Sequence, residues 1–306
     1  MNQKMTEYQS CKLCPFECGV NRTNGALGRC RSDASMRVAR IAPHYWEEPC
    51  LSGQGIEENV MGSGTIFFTG CSLRCVYCQN QKISRPSGCI GTEYSPEQLA
   101  NEFLRLQELG VHNINLVTAT HFIPSVIKTI DVAKKIGLNI PVVFNCGGYE
   151  SVESLKMLEG YVDVYLPDFK YFSDKSAEKY SAVSNYREIC LEAIREMYRQ
   201  TEKPQFDENG FLLRGTIVRH LILPGNDLDS RKIISLIHEN FGSDGVGLSL
   251  MSQYTPVCET PFPELSETLP RAAYIRTIEH AQKIGFDLLY TQDGESASES
   301  FIPEFK

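Results

Sequence analysis

The chain has 306 residues, a formal net charge of −8 and a hydrophobic share of 42%. That is ample for a real core, in one or two domains. No basic patch supports a nucleic-acid partner, and no apolar run reaches the length that spans a bilayer, so no membrane partner is expected. The opening MNQKMTEYQSCK lacks the apolar stretch of a secretory signal, so a cytoplasmic protein is expected.

Residues 1–60 are irregular, polar and cysteine-rich, with one short strand over MRVARIA (36–42). They read as a small metal-stapled module with too little apolar material for its own core. GTIFFT (64–69) is the next strand, and a cysteine loop follows it. Ser95 caps a helix with Gln98 at the capping-box position and Pro96 in the first turn; Leu99, Phe103, Leu106 and Leu109 recur at helical spacing up to Gly110. Strands then fall at 114–118, 141–145, 161–168, 212–223 and 246–252. Helices fall between or after them at 125–137, 152–160, 185–200, 230–241 and 269–285. Short strands alternating with longer helices signal βα units and a parallel sheet. Six such strands between 64 and 252 predict an α/β fold, a partial (β/α)6 TIM-like barrel over residues 61–290. Residues 291–306 read as a flexible acidic tail. Ligands in such sheets bind where the strands end and the βα loops converge.

Twelve cysteines are many for a chain in a reducing compartment, where clustered cysteines point to metal. Cys71, Cys75 and Cys78 have three and then two residues between them, in TGCSLRCVYCQN (69–80). A short loop can wrap an iron–sulfur cubane with three thiolates, leaving one iron open. A closed zinc site prefers four ligands in paired knuckles, which this spacing fits poorly. Cys11, Cys14, Cys18 and Cys30 form a second, four-cysteine set. Zinc as a structural staple and a second iron–sulfur cluster both suit it, and composition does not separate them. The single cysteines Cys50, Cys89, Cys146, Cys190 and Cys258 read as small hydrophobes.

The Cys71, Cys75, Cys78 loop, with Tyr77 just before its last cysteine, resembles the signature of the radical S-adenosylmethionine (SAM) superfamily. The resemblance implies a [4Fe–4S] cluster whose open iron chelates SAM, reductive cleavage to a 5′-deoxyadenosyl radical, and an anaerobic oxidoreductase. It also implies an electron donor such as flavodoxin or ferredoxin, and a protein, peptide or small-molecule substrate. FNCGGYE (144–150), DVYLPDFKY (163–171), RHLILPGN (219–226) and LSLMSQYTP (248–256) resemble segments of proteins similar to the pyruvate formate-lyase activating enzyme. The stretch 11–30 resembles the leader of an uncharacterised branch of that group. One departure stands out. Where many members carry a Gly-Gly-Glu turn, this chain has VTATHFIP (117–124), without a carboxylate. This speaks against a glycyl-radical activase and for another substrate; an electron-transfer protein that makes no radical is the third reading.

Further candidates sit at strand ends. Thr118 offers acceptors to the SAM ammonium, and Asn145 and Gly147 stand at the third strand's end as cofactor contacts. Lys170, by the resemblance, meets the SAM carboxylate, with Asp168 orienting a hydroxyl; a simple ion pair is the plainer reading. His121 is a candidate for proton handling, against a purely structural histidine. Gln253 follows the sixth strand as a cover for adenine, and Tyr254 beside it reads equally well as core. Alternation allows at most one of Arg219 and His220 to face the barrel interior.

Overall fold

The computed structural model describes residues 3–53, 62–86, 90–256 and 260–292. The predicted acidic tail from 293 onward, Cys89 and Cys258 lie outside the described residues.

After two 3-10 turns, the chain enters β1 (Arg37–His44), a one-turn helix α1 (Pro49–Ser52) and β2 (Ser63–Phe68). The cysteine loop leads to α2 (Gln81–Ser84), β3 (Thr92–Glu93) and α3 (Pro96–Glu108). Then come β4 (Ile114–Val117), α4 (Ile123–Lys135), β5 (Val142–Cys146), α5 (Val152–Lys156) and β6 (Val164–Pro167). The rest comprises α6 (Asp174–Ser181), α7 (Tyr186–Thr201), β7 (Gln205–Phe206), β8 (Leu212–Leu221), α8 (Asp227–Phe241), β9 (Gly247–Met251), α9 (Arg271–Ile284) and β10 (Leu289–Thr291).

The strands form one mixed sheet in the order β10-β9-β8-β6-β5-β4-β2-β1-β3, with β7 beside β8. All pairings from β2 through β10 along that path are parallel, and β1 runs antiparallel to both β2 and β3. The chain is thus an α/β fold with helices flanking a sheet whose path ends at two edges, β3 and β10. The six predicted parallel strands are present in chain order, and β10 adds a seventh. Its three residues are too few to show a period. The strand predicted over 36–42 joins the same sheet, because β1 pairs with β2 from Val38↔Phe68 to His44↔Ser63. The octahelix α6 was also missed: DKSAEKYS buries only Ala177, Tyr180 and Ser181, so it carries almost no apolar stripe.

The core follows from the patterning. Leu99, Phe103 and Leu106 of α3 pack with Val126, Ile127 and Ile130 of α4 and with Ile114 and Leu116 of β4, all buried. Each such side chain contributes about 1.5–3 kcal/mol. The α3 capping box forms as the sequence predicts: Gln98 N donates to Ser95 Oγ at 3.2 Å and Ser95 N to Gln98 Oε1 at 2.8 Å. Helix α4 begins two residues before its predicted start, with Pro124 in its first turn.

Candidate active site

A cavity of about 320 Å3 opens where the parallel strands end. Its size is that of a small-molecule site. Cys71, Cys75, Cys78, Tyr77, Thr118, Asn145, Gly147, Asp168, Lys170 and Gln253 all line it. Ten of the positions singled out in the sequence therefore meet in one space, brought together from β2, β4, β5, β6 and β9.

The cysteine loop is held from several sides. Gly70 N donates to Ile83 O at 2.8 Å and Val76 N to Tyr180 O at 2.8 Å. Arg85 Nη2 donates to the Cys75 carbonyl. Ser181 Oγ donates to Cys75 Sγ at 3.0 Å, and Ser84 Oγ lies 3.3 Å from Cys78 Sγ. Burial and then the neighbouring Cys75 and Cys78 push the Cys71 thiol up, and burial and then Cys75 push up Cys78. A cationic group between them reverses that preference, which is the behaviour of thiols built to be ligands. Tyr77 is buried behind the loop. Its hydroxyl lies 2.7 Å from that of Tyr171, which in turn lies 2.6 Å from Ser181 Oγ. Its ring sits edge-on to Tyr171, Tyr180 and Tyr254 at 6.3–6.4 Å. Tyr254 is core: its hydroxyl donates to Leu265 O at 2.5 Å.

The ends of β5 and β6 are tied by one phenol. Tyr186 Oη donates toward Gly147 O at 2.8 Å and Asp168 O at 2.6 Å, and accepts from Lys170 N at 3.0 Å. Glycine is required at 148, where φ is +77° and a β-carbon would strike the Asp168 carbonyl. At Gly147 a β-carbon would stand 2.9 Å from Leu73 of the cysteine loop, so that glycine lets the loop seat. Lys170 Nζ pairs with Asp168 Oδ2 at the cavity wall. Burial pulls the ammonium's affinity down, but Asp168 overrides it and keeps Lys170 charged. Gln253 accepts from Gln79 through its main chain at 3.0 Å and from Gln292 Nε2 through Oε1 at 3.2 Å, so its side chain is oriented at the rim.

Thr118 ends β4 in the left-handed region, φ +61°, and its N donates to Asn145 O at 2.8 Å. A β-branched residue is strained there. Thr118→Gly is expected to stabilise the protein by about 0.5–1 kcal/mol, the relief of a left-handed side chain less the added freedom of the unfolded chain. Thermal melts of the purified variant check this; a lower midpoint would show that the threonine side chain makes a contact worth more than the strain.

His121 stands apart from the cavity. It was a candidate for proton handling, but its ring is buried beside Phe122, and Nε2 donates to Thr69 O at 2.8 Å. Burial and then Arg22 push its imidazolium down to about 3, so it is a neutral donor that fastens the root of the cysteine loop. Arg219 and His220 divide as alternation requires. Arg219 lines the cavity, while His220 is buried behind it between Phe169 O at 2.6 Å and Ser230 Oγ at 2.8 Å.

Sequence reasoning missed Glu47 and Glu48. Because β1 is antiparallel to β2, the chain after His44 leaves level with Ser63, where the parallel strands begin, and Glu47 and Glu48 line the cavity. There Arg219 donates Nε to Glu48 Oε1 at 2.8 Å and Nη2 to Glu48 Oε2 at 2.7 Å, and pairs with Glu47 Oε2 as well. Asn115 Nδ2 donates to Glu47 Oε1 at 3.1 Å. The one signal was two adjacent acids ahead of Pro49 in an otherwise uncharged stretch, 41–53. Glu150 was also missed. Burial pushes its carboxyl up to about 7, against hydrogen bonds from Thr120 and Cys146.

Residues 65–237 match the family model described as the radical SAM superfamily. The chain belongs to the radical SAM superfamily. Members of this superfamily generally cleave SAM to a 5′-deoxyadenosyl radical that abstracts hydrogen. A protein of Methanocaldococcus jannaschii described as uncharacterized is 30% identical over 296 residues, covering 92% of this chain and 77% of that one. Among solved structures, SuiB of Streptococcus suis bound to its precursor peptide SuiA superposes with a TM-score of 0.49 at 9% identity, over 74% of this chain and 47% of that chain. A domain of a pyruvate-formate lyase-activating enzyme from Bacteroides vulgatus gives a TM-score of 0.35 at 14% identity, over 65% and 91% of the two chains. The radical SAM chain here thus spans about half the length of SuiB.

The radical SAM family implies an iron–sulfur cluster, and the donor set fits one: the three thiols of Cys71, Cys75 and Cys78 line one wall of the cavity. Among the described residues no group of three or more His, Cys, Asp or Glu is gathered for a single metal ion. Thiolates serving a cubane each meet a different iron. No helix among the described residues is long and apolar enough to cross a membrane.

Proposed function

We propose that this protein reductively cleaves SAM at a [4Fe–4S] cluster held by Cys71, Cys75 and Cys78, and uses the resulting radical to abstract hydrogen from a protein, peptide or small-molecule substrate. The observation that carries this reading is the shared cavity, in which three thiols face the Asp168–Lys170 pair and the polar ends of β4 and β5. The bound cluster supplies one electron to the sulfonium, yielding methionine and the 5′-deoxyadenosyl radical. The chain's own groups do the positioning. Lys170 presents a fixed ammonium to a carboxylate, Thr118 and Asn145 offer acceptors to an ammonium, and Gln253 closes the rim. Leu73, Phe67 and Phe68 give the cavity an apolar side that keeps water from a reactive carbon radical.

The test is formation of 5′-deoxyadenosine and methionine by anaerobically reconstituted protein with dithionite and SAM. Absence of both products would leave the electron-transfer reading in its place. Lys170→Met is expected to raise the SAM concentration at half-maximal rate by about tenfold or more, as loss of one charge-assisted contact of about 1.5–3 kcal/mol implies. An unchanged concentration dependence would take Lys170 out of SAM recognition. Installation of a glycyl radical on a partner enzyme is the second reading, carried by the segments at 144–150 and 163–171. Electron paramagnetic resonance of candidate partners distinguishes it.

A further inference from the structure

Arg22 is fully buried, 1% exposed, yet among the described residues no carboxylate pairs with it. Its guanidinium donates to the carbonyls of Ser32 (3.1 Å), Asp33 (2.6 Å) and His121 (2.6 Å), and to Cys11 Sγ at 3.7 Å. Two aromatic rings, Tyr8 and Phe122, cover it. A buried cation without a counter-charge is costly by several kcal/mol. Besides the Tyr8 ring, the ionisable group it touches is the Cys11 thiol, one of the four cysteines of the leader. A β-carbon at Gly28 would stand 3.5 Å from both Cys18 Sγ and Cys30 Sγ. Cys18 Sγ reaches Cys11 O at 4.0 Å, and the segment closes on itself through Cys11 N to Val20 O and Gly19 N to Cys11 O.

We infer that Cys11, Cys14, Cys18 and Cys30 hold a second, redox-active iron–sulfur centre, with Arg22 as its buried counter-cation, and that this centre passes electrons to the SAM-cleaving one. Four thiolates around a cluster carry net negative charge, which answers the uncompensated guanidinium. Its N–H donated to a ligand sulfur also favours the reduced state. The placement suits an electron-passing centre. A β-carbon at Gly70 would collide with Cys30 O and Ser32 Oγ, so the main chain of Cys30 packs directly on the residue preceding Cys71. Ser32 Oγ donates to Thr69 O at 3.4 Å, and Arg22 reaches the same root through His121 and its bond to Thr69. Such direct contact gives a one-electron centre a short route to the first cluster's loop. On the outer side Cys18 is exposed, which gives a reductant access. The second centre takes one electron from a one-electron carrier and gives one electron to the first centre, returning to its oxidised form. This step rests on the proposed SAM cleavage.

Metal and sulfide analysis of anaerobically purified full-length protein tests the inference apart from that cleavage. The wild type is expected to hold about eight irons. The Cys71→Ala/Cys75→Ala/Cys78→Ala variant is expected to keep about four, with a paramagnetic signal on dithionite reduction. Cys14→Ala/Cys18→Ala is expected to lose about four irons while keeping the first cluster's signal. Arg22→Leu is expected to move the second centre's reduction to lower potential in a redox titration followed by paramagnetic resonance. One zinc and no iron in the triple variant, or about four irons in both the wild type and Cys14→Ala/Cys18→Ala, would overturn the second centre. An unchanged potential in Arg22→Leu would overturn the role of Arg22. Loss of SAM cleavage alone, with both clusters present, would strike the proposed function and leave this centre standing.

Discussion

Cys75→Ala is expected to abolish 5′-deoxyadenosine formation, by at least about a thousandfold, while leaving the far-ultraviolet circular dichroism of the protein unchanged. The size of the effect follows from the ligand count. A cubane held by three thiolates cannot lose one and keep both its attachment and its reducing power. Cys75 is the least exposed of the three, and its sulfur receives the Ser181 hydroxyl at 3.0 Å. Ser181→Ala is the companion measurement. It removes the donor and keeps the thiolate, so SAM cleavage persists at a changed reduction potential. Product formation by Cys75→Ala at even a tenth of the wild-type rate would show that the cluster is held elsewhere.

Arg219→Met is expected to destabilise the protein by about 3–5 kcal/mol at neutral pH. The substitution keeps the stem's bulk but strands Glu47 and Glu48, whose side chains are 8% and 5% exposed beside an Arg219 that is 12% exposed. In the wild type, burial pushes the Glu48 carboxyl up, but the Arg219 guanidinium overrides burial and holds it below the ordinary carboxylate range. That contribution to stability is full above the ordinary carboxylate value and is lost as pH falls through the depressed one. Without Arg219 burial, the largest influence, is opposed only by hydrogen bonds from Ser249 and the main chain, so the variant is expected to gain stability as pH falls from neutral. Denaturant melts across pH 5–8 should therefore show the gap between the two proteins narrowing on acidification. A gap that is constant or widens would mean that packing, not charge, is what Arg219 supplies.

What the sequence discloses depends on how local the signal is. Cys71, Cys75 and Cys78 sit within one loop, and Ser95 and Gln98 within one helical turn, so spacing alone marks each as a set. Asn145, Asp168 and Lys170 are legible because strands of a parallel sheet deliver their carboxyl ends to one edge whatever the intervening helices are. Glu47 and Glu48 were hidden because their partner lies 171 residues away from Glu48, and only the antiparallel direction of β1 brings them under it. For His121 the sequence leaves a structural role and proton handling side by side. A histidine three residues beyond the strand-end Thr118 looks exposed to the site, but it falls in the 3-10 turn Thr120–Phe122 and is buried. Arg22 gave no signal in the sequence, since an arginine in a polar leader is ordinarily solvated.

The strand β1 has a mechanical meaning beyond its hydrogen bonds. Its first residues lie level with the cysteine loop, against Phe68, and its last lie level with Ser63, where Glu47 and Glu48 turn inward. Eight residues of extended chain, roughly 25 Å, form a rigid strut with the thiol-bearing leader fixed at one end and the anionic latch on Arg219 at the other. Slack introduced at either anchorage is transmitted along this strut, so disturbing the leader would be felt as a loosened latch on the wall of the same cavity.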